Sequence, residues 1–263
     1  MPPAFPESPQ QLQPLLPHAL RMAASSFPIG TGLGADNICP RAFLRLSDAA
    51  LASFCMLLAT FEALGHWADA LNLVLIVLLP KTDGGFRPIG LFPTVIRLWM
   101  RTRICVARAW EAATAMPCLF GGAGMGAQRA AWEAAFASEL AAHCRNDHLQ
   151  ILLDLVKAFE TVPHDKLVEA AVAKGYSVVV LRLSIQAYRL QRSIGVDGVY
   201  SRCVVACRGI TAGSGFATSE LRLLLLDTMV ELRRRWSVQL SVKLYVDDLT
   251  LSLRLACLAR CYA

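Results

Sequence analysis

Leu244-Tyr245-Val246-Asp247-Asp248-Leu249-Thr250-Leu251 sets two adjacent carboxylates between two runs of β-favouring apolar residues. Residues 242–246 and 249–253 read as short strands. Asp247 and Asp248 therefore fall at the tip of a hairpin whose arms supply rigidity. Neighbouring acids repel, and a cation bound between them would remove that penalty. An Asp-Asp pair is also ordinary turn composition, so the meaning of this one depends on what surrounds it.

The chain has 263 residues, enough to bury a full core as one large domain or two small ones. Its apolar fraction of 55% is high, yet no stretch reads as a membrane span. Residues 71–79 are interrupted by Asn72 and residues 51–64 by Glu62, and both are too short. No basic segment followed by a long apolar run marks a secretory signal. The nine cysteines lack the spacing of a disulfide framework, which indicates a reduced, intracellular protein. Cys203 and Cys207, like Cys257 and Cys261, are not Cys-x-x-Cys pairs, which argues against zinc. A net charge of +6 permits a nucleic-acid partner without establishing one.

Residues 1–35 hold seven of the thirteen prolines and read as a flexible leader. Ser47 caps a helix over 49–64 that Gly65 ends. A buried strand over 73–79 leads into Asp83-Gly84-Gly85, a turn that sets Lys81 and Arg87 on opposite arms of a hairpin. Two cations on such an arm could close over a triphosphate. A helix over 94–110 carries Arg97, Arg101 and Arg108 at three-to-four-residue spacing, a stripe that suits a phosphate backbone or a solvated face. Phe120-Gly121-Gly122-Ala123-Gly124-Met125-Gly126 is glycine-rich but lacks the Lys-Ser or Lys-Thr of a P-loop. A helix over 128–145 follows. A strand over 149–155 delivers Asp154, a carboxylate that is costly in an apolar strand unless it serves a purpose. Pro163 opens a helix to about residue 174, and residues 177–190 form another. Val196-Asp197-Gly198-Val199 signals a hairpin feeding a strand over 200–207. A glycine loop over 208–216 precedes a long helix over 217–235.

Five segments in this order resemble the fingers and palm of reverse transcriptases, nearest to those of non-LTR retrotransposons, over roughly residues 32–253. Leu79-Pro80-Lys81 through Arg87-Pro88-Ile89-Gly90-Leu91 resembles the first basic motif of the fingers, and Phe120 to Gln128 a divergent form of the glycine-containing motif after it. Asp154-Leu155-Val156-Lys157-Ala158-Phe159-Glu160-Thr161-Val162-Pro163-His164 resembles the first catalytic-aspartate motif. Arg208-Gly209-Ile210-Thr211-Ala212-Gly213-Ser214 resembles the loop that supports template and incoming nucleotide. Tyr245-Val246-Asp247-Asp248 resembles the second catalytic motif. The resemblance implies RNA-directed DNA synthesis on an RNA template from a DNA or RNA primer, with deoxynucleoside triphosphates as substrates. It implies two magnesium ions, with manganese as the alternative, held by Asp154, Asp247 and Asp248. Asp154 and Asp247 would stand on either side of the metal pair, and Asp248 would contribute less directly. Lys81 and Arg87 would bind the triphosphate, Phe159 would act as the steric gate against a ribose 2′-hydroxyl, and Gly213 would admit the nascent base pair.

The expected fold is α+β: right-hand fingers and palm, an antiparallel palm sheet packed on helices, and the thumb missing, the chain being truncated after the Tyr-Val-Asp-Asp motif. The expected divisions are a leader over 1–35, fingers mainly over 36–146, and palm over 147–256, with 163–207 partly in the fingers. Ala212 replaces the family's Gln, Glu160 replaces an Asp, and Ala217-Thr218 stands where Ser-Pro usually opens the helix. A nuclear site follows from the family alone. Two other readings stay open: a catalytically inactive nucleic-acid-binding relic, and an RNA-dependent RNA polymerase, against which Phe159 and the Tyr-Val-Asp-Asp form argue.

Overall fold

The computed structural model describes residues 3–6, 11–82, 84–122, 124–196, 198–236 and 240–255. Asp83, Ala123 and Asp197, which enter three of the turn readings, lie outside the described residues. So do parts of the expected leader and the last residue of the expected palm.

Within the stretch expected as a leader, residues 17–25 form a helix. α1 (Pro17–Ser25) takes a proline in its first turn, where the missing N–H costs nothing, and buries Leu20, Ala23 and Ala24. The 20, 23, 24 spacing of these side chains outweighs the proline content. Ala24 and Phe27 cluster with Leu98, joined by Phe43, Leu44 and Phe54. Arg21 donates to Asp48 and to the Leu46 carbonyl, both at 2.8 Å. α2 (Asp48–Leu64) starts where the Ser47 hydroxyl accepts the Ala50 N–H at 3.2 Å. There follow β1 (Leu73–Pro80), β2 (Phe86–Leu91), α3 (Thr94–Ala113), α4 (Ala127–His143), β3 (Asp147–Asp154), α5 (His164–Ala173) and α6 (Val178–Tyr188). After these come β4 (Gln191–Val196), β5 (Val199–Tyr200), β6 (Val204–Val205), α7 (Ala217–Trp236), β7 (Leu240–Tyr245) and β8 (Asp248–Leu255).

These elements form an α+β fold of two compact units, residues 1–107 with 159–220, and residues 108–158 with 221–263. The chain enters each unit twice.

The first unit holds a five-stranded mixed sheet in the order β2-β1-β4-β5, with β6 also on β4. β1 and β2 form the expected antiparallel hairpin, Leu79 opposite Arg87. β1 also pairs with β4 in parallel, Leu73 opposite Gln191. The sequence carried no expectation of this parallel pair: parallel partners share no turn, so nothing local announces them. The strand expected over 200–207 is two short pieces, β5 and β6, on either side of Ser201, whose hydroxyl accepts the Ile194 N–H at 3.0 Å. Trp99 is fully buried, in edge contact with Trp67 at 5.2 Å and Phe216 at 5.5 Å. Beside it Glu62 accepts from Trp99 Nε1 at 2.7 Å and takes two bonds from Arg103, at 2.7 and 2.6 Å. Arg97 and Arg101 do not form a free stripe: their guanidinium groups lie 5.3 and 4.8 Å from the Phe27 ring centroid.

The second unit holds an antiparallel sheet in the order β3-β8-β7. Phe120 N–H donates to the Leu244 carbonyl, and Leu244 N–H to the Cys118 carbonyl, both at 2.8 Å, so the residues before the glycine-rich loop extend the β7 edge. α4 packs on this sheet. Among the described residues, no helix is long and apolar enough to cross a membrane.

Candidate active site

The hairpin closes tightly. Tyr245 is the last residue of β7 and pairs with Asp248, the first of β8, leaving Val246 and Asp247 as a two-residue turn. Val246 takes φ of 59°, which is the positive φ that two-residue hairpin turns need and β-branched residues avoid. On the far side of β8, Asp248 pairs with Asp154, the last residue of β3. Directly opposed residues in an antiparallel ladder point to the same face. Two carboxylates from segments far apart in the sequence thus stand side by side at one end of the sheet. Both are exposed, and Asp247 on the turn is half-buried. The partner facing Asp154 across the ladder is Asp248, with Asp247 one residue earlier on the turn.

β3 is more open than its composition suggests. Ile151 is 38% and Leu152 74% exposed, and Asp154 is exposed with them. The Asp154 carboxylate therefore bears no burial cost.

The register sorts the sheet into two faces. Gln150, Leu152 and Asp154 share a face with Asp248, Thr250 and Ser252 and with Ser241, Lys243 and Tyr245. Leu149, Ile151, Leu153, Leu249, Leu251, Leu253, Leu240, Val242 and Leu244 share the other. α4 turns Ala127, Ala130, Ala131, Ala134 and Ala135 toward the polar face, and these small side chains leave a cavity of about 610 Å³ that Asp154, Asp248, Tyr245 and Lys243 also line. Its bulky residues face away: Trp132 is 66% and Phe136 52% exposed, their rings stacked at 5.5 Å.

Lys243 escaped the sequence reading. It is buried two residues before Tyr245 on the same face. Burial holds its ammonium below the ordinary lysine value, opposed by Glu133 on α4. The signal was present as a charged residue inside an apolar strand, in step with Tyr245.

Among the described residues, no group of three or more His, Cys, Asp or Glu side chains converges as a metal cage. Magnesium does not require one, since it binds one or two carboxylates and completes its shell with phosphates and water. The opposed Asp154 and Asp248, with Asp247 adjoining, are an oxygen donor set of that kind.

The other candidate residues belong to the first unit. Lys81 and Arg87 are exposed at the end of the β1–β2 hairpin, where Lys81 N–H donates to the Gly85 carbonyl at 3.1 Å. Phe159 is half-buried, and its carbonyl accepts the Ile210 N–H at 2.8 Å, while Gly209 N–H donates to Val162 at 2.8 Å. A side chain at Gly209 would meet the Glu160 carbonyl oxygen at 2.7 Å. His164 is buried and donates Nε2–H to the Gly209 carbonyl at 2.8 Å, and burial lowers its pKa below the ordinary histidine value. The glycine loop is thereby sewn to the segment that carries Phe159. It is sewn to β2 as well: Gly90 N–H donates to the Ala212 carbonyl at 2.6 Å. Gly213 has φ of 110°, and a Cβ there would run into the Gly90 carbonyl oxygen, so no other residue fits. Arg192 donates to Thr211 Oγ1 and to the Tyr188 carbonyl, both at 2.7 Å. A pocket of about 430 Å³ opens here, lined by Pro88, Gly90, Glu160, Arg192 and residues 209–212.

No protein-family profile matches the sequence, and no curated protein matches it. Among solved structures with a similar arrangement is apo telomerase from Candida tropicalis truncated from its C-terminal domain, at 12% identity and a TM-score of 0.49, covering 79% of this chain and 49% of that one. The chain thus spans about half the length of that telomerase chain.

Proposed function

We propose that this chain carries the fingers and palm of an RNA-directed DNA polymerase of the reverse-transcriptase kind, akin to those of non-LTR retrotransposons. The observation that carries the reading is the register that sets Asp154 opposite Asp248, at the turn that holds Asp247. Support also comes from the order of the motifs, basic hairpin, first aspartate, glycine loop and Tyr-Val-Asp-Asp. Asp154, Asp247 and Asp248 would hold two magnesium ions. Bound there, divalent cations stabilise the attacking and leaving oxygens of an in-line displacement. The chain's own residues do the rest. Lys81 and Arg87 would bind the triphosphate of a deoxynucleotide, the Phe159 ring would crowd a 2′-hydroxyl, and Gly213 would keep side-chain bulk away from the new base pair. The template would be RNA and the primer DNA or RNA.

Primer extension on a poly-A RNA template with magnesium and deoxythymidine triphosphate tests this. Wild type extends the primer, and Asp154→Ala and Asp247→Ala each lose activity by about a hundredfold or more, because several kcal/mol of charge stabilisation are removed. Extension that survives in both variants would overturn the reading. The binding-only relic draws on a separate observation, that among the described residues no group of three or more His, Cys, Asp or Glu side chains forms a closed metal cage. Folded wild type that binds the primer–template but never extends it would favour that alternative.

A further inference from the structure

Tyr188 ends α6 with its side chain fully buried. Its hydroxyl lies 2.7 Å from Ser214 Oγ and 2.5 Å from Glu220 Oε2. A phenol has one hydrogen and cannot donate to both. The proton arrangement therefore depends on Glu220, which is also fully buried in the first turn of α7. The groups facing its carboxyl are hydroxyls, those of Tyr188 and Ser184 of α6. The charged and titratable groups nearby act on Tyr188 instead. Arg192 bonds its carbonyl, the His164 ring lies 6.3 Å away, and Tyr176 acts on its phenol.

Burial pushes the Glu220 carboxyl up to about 8 and the Tyr188 phenol well above its ordinary value. With Glu220 neutral, the acid donates to Tyr188 Oη and Tyr188 donates to Ser214 Oγ. Phe216 N–H fills the second Ser214 lone pair at 3.2 Å. Both acceptor positions on Ser214 are then taken, and its own hydrogen remains to be given to a ligand. With Glu220 ionised the chain of donors reverses. Tyr188 donates to the carboxylate, and the Ser214 hydrogen turns inward to Tyr188 Oη. Ser214 is half-buried between Gly213 and Gly215, both exposed, a setting that lets a backbone come close.

We propose that Ser214 is a binding residue of the glycine loop that donates a hydrogen bond to a phosphate oxygen of a nucleic-acid strand, and that the buried proton on Glu220 turns this donor on and off through Tyr188. The choice of nucleic acid rests on the polymerase reading. The relay rests on the contacts alone.

The test is the affinity for a fluorescent RNA–DNA primer–template duplex at constant salt, from about pH 6.5 to about pH 9.5, which brackets the Glu220 transition. The infrared carbonyl band of the neutral acid is followed over the same range and assigned by its absence in Glu220→Gln. Wild-type affinity falls roughly fivefold, the worth of one hydrogen bond, as the band disappears. Glu220→Gln, whose amide donates to Tyr188 at every pH, keeps its affinity. Ser214→Ala is roughly fivefold weaker at the low end and loses the dependence. Equal pH profiles in wild type and Glu220→Gln overturn the switch, and undiminished binding by Ser214→Ala overturns the donor. A folded wild type that binds no duplex overturns the polymerase reading and with it the ligand assigned to Ser214. The band then judges the relay by itself. Its midpoint rises in Tyr188→Phe, because the ionised carboxylate loses its donor, and an unmoved midpoint overturns the relay.

Discussion

Val246 and Glu62 show what single residues hold here. A left-handed conformation costs a residue with a Cβ roughly 1–2 kcal/mol, and most of all a β-branched one. Val246 bears that cost at φ of 59°, on the turn that presents Asp247. Val246→Asn, whose side chain tolerates this region, raises stability by about 1 kcal/mol in urea unfolding with the slope unchanged. An unchanged midpoint would mean that the turn relaxes. Strain at such a position is what a site under geometric demand accumulates. Glu62 is the opposite case, a charge that is fully matched. It accepts from Trp99 and Arg103, and its side chain and that of Arg103 are only 10% and 6% exposed. Glu62→Ala leaves a buried guanidinium and an indole N–H without their acceptor, and costs about 3–5 kcal/mol in thermal or urea unfolding. A loss below about 1 kcal/mol would show that water or Gln13, whose carbonyl already accepts from Arg103 at 2.7 Å, takes over.

At the scale of elements, the hairpin and the glycine loop behave differently under mutation and were legible to different degrees. The β7–β8 hairpin is written in the sequence, since apolar alternation on both arms leaves one place to turn. The ends of α2 are equally legible, from Ser47 and Gly65. Asp154 could be placed at the end of a strand, but its alignment with Asp248 could not, because register between strands from distant segments is fixed by contacts made only after folding. The clasp of the glycine loop onto β2 was invisible for the same reason. Glycine at 213 could be noticed, but not the Gly90 carbonyl that forbids a side chain there. Gly213→Ala destabilises the protein by at least about 2 kcal/mol through strain at φ of 110° and the displacement of β2. A melting temperature within a degree or so of wild type would show that the clasp is loose. α1 is masked in the sequence by the prolines around its three well-spaced apolar residues, and the burial of Lys243 depends on α4, which no local pattern reveals.

At the scale of the molecule, the two units are threaded through one another in sequence, each built from two separate stretches of chain. A protein emerging from a ribosome is read in one direction, and domains of continuous sequence close as they appear. Neither unit here has that option. The first has to wait for residues up to 220. β3 leaves the exit tunnel with Leu149, Ile151 and Leu153 on one face, and its ladder partner β8 follows 94 residues later, counted from Asp154 to Asp248. An unpaired apolar strand held open that long is a template for the same strand on the next nascent chain. The alignment that brings Asp154 to Asp248 is thus also a step at which synthesis is exposed to misassembly, and a cell making this protein has reason to shield β3 until the hairpin arrives.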